Sequence, residues 1–135
     1  MQKLITLFSS IFMLLGTFSA SAAGTEQHLT FANGTVHAHI NWTVGPETGK
    51  ESVMLVSFKT GADHNPLDIK SKVKVTLFMP EMGHGSSPTK VEKVTGTFDY
   101  KVSKIYFTMP GKWEVRITLT NEDGTKETQA FSVNI

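Results

Sequence analysis

The chain has 135 residues, 19% of them charged, with a formal net charge of +1 and no cysteine. The missing thiols exclude a disulfide framework and any thiolate metal or redox centre. So small a net charge on dispersed basic residues argues against nucleic acid as a partner.

Residues 1–23 read as an export signal. Lys3 gives a positive start, Leu4 to Phe18 is mostly apolar, and Ala20-Ser21-Ala22 fits a small-residue cleavage site. Ser21-Ala22-Ala23 fits one residue later, so cleavage before Ala23 or before Gly24 is open. The apolar run is too short, and too broken by Ser and Thr, for a membrane span of ~20 apolar residues. No cysteine follows it to take a lipid. The expectation is an exported, periplasmic protein whose remaining residues, 24–135, form one domain.

Along that domain only strand signals occur. Leu29-Thr30-Phe31 runs into Asn33-Gly34, a dipeptide suited to a type I′ hairpin turn. From Thr35 to Val44, Val36, Ala38, Ile40, Trp42 and Val44 alternate with His37, His39, Asn41 and Thr43. Ser52 to Phe58 is nearly all apolar, as in a central strand. Val73, Val75, Leu77 and Met79 alternate with Lys72, Lys74, Thr76 and Phe78. A strand beginning near Val91 carries Phe98 and Tyr100, and Ile105, Phe107 and Met109 define the next. Trp113, Val115, Ile117 and Leu119 alternate with polar residues. After the Asn121-Glu122-Asp123-Gly124 turn, Phe131, Val133 and Ile135 close the chain. Gly, Pro, Asn and Asp separate each run from the next. The pattern predicts an all-β, immunoglobulin-like antiparallel sandwich of about seven to eight strands. Trp42, Leu77, Phe107, Trp113, Val115 and Phe131 are its expected core.

Residues 79–85, Met79-Pro80-Glu81-Met82-Gly83-His84-Gly85, carry the chemistry. Thioether and imidazole ligands suit copper, and the Pro and Gly residues predict a shaped loop. A second such step, Met109-Pro110-Gly111, follows later. The order Trp42…Gly45-Pro46, then Leu77-Phe78 with the Met/His string and Pro88, then Tyr106-Phe107-Thr108-Met109-Pro110-Gly111-Lys112-Trp113-Glu114-Val115 resembles the YtkA-like domain family, which is related to FixH-like proteins. The resemblance covers nearly all of residues 24–135. It implies a small exported sandwich, alone or attached to efflux and respiratory accessory proteins, and it makes copper the leading metal by association. Periplasmic copper chaperones with paired His-x-Met motifs are a different class, because Met82-Gly83-His84 has the reverse order and stands once.

If consecutive strands run antiparallel, loop 80–90, the Met109-Pro110-Gly111 turn and loop 45–50 share one end of the sandwich. The same counting places His28 at that end, and His37, His39 and His64 in the opposite half. Each candidate also has a structural reading. Met79 and Met109 continue apolar strand faces, where Met fills gaps. His84 could simply brace its loop. His37 and His39 project on one strand face, where a chelating pair and plain polar surface look alike. Asp63, His64 and Asp68 fit a solvated turn.

No serine or carboxylate arrangement supports catalysis. Two non-catalytic readings remain. In the first, an exported accessory protein binds copper(I) through Met82 and His84, with Met109 or His28 completing the shell. Low-coordinate thioether and imidazole sites suit that ion. In the second, the sandwich docks without metal onto a membrane-bound efflux or respiratory oxidase-assembly protein, through an edge or its end loops.

Overall fold

Alternating apolar side chains can be buried only if two sheets close face to face, and this is what the chain does. The computed structural model describes residues 25–135, so the expected export signal lies outside it. Nine strands are present among the described residues: β1 (Gln27–Phe31), β2 (Val36–Val44), β3 (Glu51–Thr60), β4 (Lys72–Met79), β5 (His84–Gly85), β6 (Lys90–Lys93), β7 (Asp99–Tyr106), β8 (Lys112–Thr120) and β9 (Lys126–Asn134). They form a five-stranded sheet, β1-β2-β3-β7-β6, and a four-stranded sheet, β5-β4-β8-β9. All neighbouring strands pair antiparallel. The β1 edge lies beside β9, and β6 beside β4. No helix among these residues is long and apolar enough to cross a membrane.

The core is the one the alternation predicts. Leu77, Phe107, Trp113, Val115 and Phe131 are buried, joined by Phe31, Ile40, Met54, Phe58 and Ile105. Trp113 packs edge-on against Phe107 at 5.6 Å between ring centroids, and its indole N–H donates to the Met109 carbonyl at 3.0 Å. Burying each such large side chain stabilises the fold by about 1.5–3 kcal/mol. Trp42 differs from expectation. It is only half-buried, packed on Phe107 at 6.0 Å, because the β2–β3 register shifts between Trp42 and Val44. That bulge also turns Val44 out to solvent.

One boundary differs as well. The expected strand from Val91 to Tyr100 is broken after Lys93. Val94 N–H donates to Asp99 O, Thr97 N–H donates to Val94 O, and Gly96 supplies a φ of 77°. Tyr100 therefore belongs to the strand of Ile105. The shaped loop expected at residues 80–85 is a tight hairpin, in which Met82 N–H donates to Met79 O and His84 pairs with Met79.

The Asn33-Gly34 turn forms as the dipeptide predicts. Asn33 lies at φ 54°, ψ 38°, Gly34 at φ 89°, and Thr35 N–H donates to Ala32 O at 3.2 Å. This turn fixes the register of β1 on β2, with Phe31 opposite Val36 and His28 opposite His39.

Candidate metal centre

Alternation decides which face of β2 carries chemistry. Ala38 and Ile40 are fully buried in the core, so His37 and His39 stand on the outer face of the five-stranded sheet. The register set by the Asn33-Gly34 turn then brings His28 directly across from His39, and Thr30 across from His37. Directly opposed residues have Cβ atoms only ~4.5–5.5 Å apart. The His28 and His39 rings meet edge-on, 4.2 Å between centroids.

The fourth histidine arrives from a loop. Gly61 follows β3, and its N–H donates to Thr35 O at 2.9 Å. A Cβ on Gly61 would lie 1.8 Å from Gly34 O, so only glycine permits this approach. The chain then doubles back. His64 N–H donates to Thr60 O at 3.1 Å, with the Thr60 hydroxyl on the Asp63 carboxylate and the Asn65 amide N–H and side-chain NH2 on the same group. His64 itself takes φ 56°, a left-handed conformation unusual for a non-glycine residue and less costly for histidine than for most. The result is that its ring stands 5.1 Å from His37 and 5.8 Å from His39.

Glu26, just before β1, completes the patch. Its Oε1 accepts from His39 Nδ1 at 3.1 Å and from Asn41 Nδ2 at 3.3 Å, while Oε2 lies 3.4 Å from His28 Nε2. Two donor sets result, His37–His39–His64 and Glu26–His28–His39, each with ligand atoms within 4.8 Å of one another. His39 belongs to both. Its side chain is buried although it lies on an outer sheet face, and Nε2 is a buried nitrogen with no hydrogen-bond partner. Burial pushes the His39 imidazole below its ordinary pKa, with the Glu26 hydrogen bond opposing, and the hydrogen bonds from His39 and Asn41 hold Glu26 below the usual carboxylate range. A neutral ring with Nδ1–H on a carboxylate leaves Nε2 as a lone pair. This is how metal-ligating histidines are oriented.

The residues singled out by sequence divide accordingly. His28 does not join Met82 and His84. β1 is the sandwich edge beside β9, and β5 is the edge of the other sheet on the far side of β4. Strand counting gave the direction of β1 correctly, but not its pairing with the lower part of β2. Met82 is 56% exposed at the tip of the β4–β5 hairpin. His84 is exposed opposite the buried Met79, and Met109 is partly buried on the core. The Met109-Pro110-Gly111 turn does lie at the hairpin's end of the sandwich, since Gly111 abuts the Met79 methyl so closely that a Cβ would stand 2.7 Å from it. Sequence reading missed Glu26 and the convergence of His28 and His64 on His39. Counting outward from Asn33-Gly34 would have paired His28 with His39. Nothing local announces the fold-back of His64.

Fold and patch together define a two-layer antiparallel β-sandwich with an imidazole-rich outer face. The model of the YtkA-like family matches residues 33–118, and the chain belongs to that family. Among solved structures, it is similar to a DUF4426 family protein from Pseudomonas aeruginosa. The TM-score is 0.58 at 15% sequence identity, over 82% of this chain and 94% of that one, a likeness of fold. No curated protein matches the chain.

Proposed function

We propose that this protein is an exported, non-catalytic accessory protein that binds a divalent first-row metal ion at His37, His39 and His64, with copper(II) held most tightly. The observation that carries the reading is the buried, unpartnered Nε2 of His39, on a ring whose Nδ1 is already fixed by Glu26. Leaving a buried polar atom unpaired costs about 1–3 kcal/mol, a cost that ligation removes. Imidazole suits copper, zinc, iron and nickel, and among divalent ions at one site copper(II) stands at the top of the affinity order. The patch lies on a sheet face, while a groove of about 380 Å³ lies elsewhere, between Val73–Leu77 and Ser86–Val91. An ion carried in this way suits delivery or storage better than turnover.

Competitive titration tests this. The parent should take one equivalent of copper(II) in preference to zinc(II), and His37→Ala and His64→Ala should each weaken it. Unchanged affinity in both variants would remove the site.

A second reading keeps copper(I) at the other end, on Met82 and His84 with Met109. The meeting of the β4–β5 hairpin with the Met109-Pro110-Gly111 turn favours it. Met82→Leu with His84→Ala should then weaken copper(I) binding and leave copper(II) binding unchanged. A protein that binds neither ion would be the docking module instead.

A further inference from the structure

The two donor sets share one ring, His39. Glu26 stands at the Asn41 end of His39, since its carboxylate accepts from both side chains. His28 is at that carboxylate's other oxygen. His37 is two residues back along β2, toward the β1–β2 turn, and the His64 loop is anchored on that same turn through Gly61. So Nδ1 of His39 faces one set, and Nε2 is left for the other.

We infer that the patch offers one ion two alternative positions that share His39: an inner one of three imidazoles, His37–His39–His64, and an outer one of a carboxylate and two imidazoles, Glu26–His28–His39. The inference rests on the metal-binding reading given above. A neutral imidazole has one ring lone pair, on one nitrogen at a time. An ion on Nε2 leaves the Nδ1–H donating to Glu26. An ion on Nδ1 requires that this proton pass to water and that Nε2 take one up from water, so that the ring stays neutral, Glu26 stays a carboxylate able to ligate, and net protonation is unchanged. The two positions are therefore exclusive, and the stoichiometry is one.

The positions differ in access and in charge. Beside the shared, buried His39, the inner position has a half-buried His37 and an exposed His64, whereas the outer one has two exposed partners, His28 and Glu26. The outer position also sets a carboxylate against the divalent charge. The hard carboxylate oxygen beside borderline imidazole nitrogen suits copper(II) or zinc(II) better than the softer copper(I). The half-buried His37 makes the inner position the less open of the two.

Pulsed electron paramagnetic resonance of the copper(II)-loaded protein counts the coupled imidazoles. His64→Ala should still bind one equivalent, with two coupled imidazoles and an oxygen ligand, and His28→Ala should bind one with three. The double variant should bind more weakly than either, with melting of the metal-free proteins confirming that all fold. Two equivalents on the parent, or a His64→Ala variant no tighter than the double variant, would overturn the inference and leave the inner site standing. A parent that binds no copper(II) would remove the underlying reading itself.

Discussion

His39 and Glu26 are joined by a 3.1 Å hydrogen bond from an imidazole buried on an outer sheet face to an exposed carboxylate. This bond fixes which ring nitrogen carries the proton, and so which one is left as a lone pair. Glu26→Gln retains a side-chain oxygen that can accept from Nδ1 but removes the charge. Removing such an outer partner typically lowers metal affinity 10–100-fold. Copper(II) affinity of Glu26→Gln should fall within about that range, with the metal-free melting temperature little changed. Isothermal titration calorimetry measures the affinity, and scanning calorimetry the melting temperature.

The Gly61 approach gives a prediction about the backbone. Gly61→Ala places a methyl 1.8 Å from Gly34 O, so one of the two loops must move. Overpacking of this kind costs about 1–3 kcal/mol. Urea denaturation should show that loss, and copper(II) affinity should fall as well, because the same loop carries His64.

At the core, Trp113→Phe keeps an aromatic ring but deletes the N–H donor to Met109 O. A part-buried carbonyl that loses its partner costs at most about 1–3 kcal/mol. The variant should be destabilised by that order in denaturant, with the histidine patch and its copper(II) affinity unaffected.

Met82→Leu separates the two ends of the molecule. Met82 is 56% exposed at a hairpin tip, so the change should leave stability within about 0.5 kcal/mol. Copper(II) binding should not change at all. A loss of copper(II) affinity would place the ion at the hairpin and not on the sheet face.

What the sequence made legible follows from period and parity. Strict alternation at Trp113, Val115, Ile117 and Leu119 identifies the core because one sheet face must be dry. Parity correctly set the 80–85 hairpin and the Met109-Pro110-Gly111 turn at one end, and grouped His37 and His39 with His64. It failed at His28, because strand direction says nothing of where pairing starts along the neighbouring strand. That information sits in the Asn33-Gly34 turn. The Val94–Asp99 turn was hidden because Phe98 and Tyr100 read as a continuing strand. The burial of His39 was not legible at all: it depends on a left-handed His64 and a glycine contact between two loops, neither of which has a periodic signature.

His39 is the proposed metal ligand around which the patch is built. The most direct measurement is copper(II) titration of the parent and of His39→Ala, read by electron paramagnetic resonance with the metal-free melting curves alongside. The parent should bind one equivalent with imidazole nitrogen coupling, and that signal should be lost in a folded His39→Ala protein. The same stoichiometry and the same coupled-nitrogen spectrum in His39→Ala would contradict it.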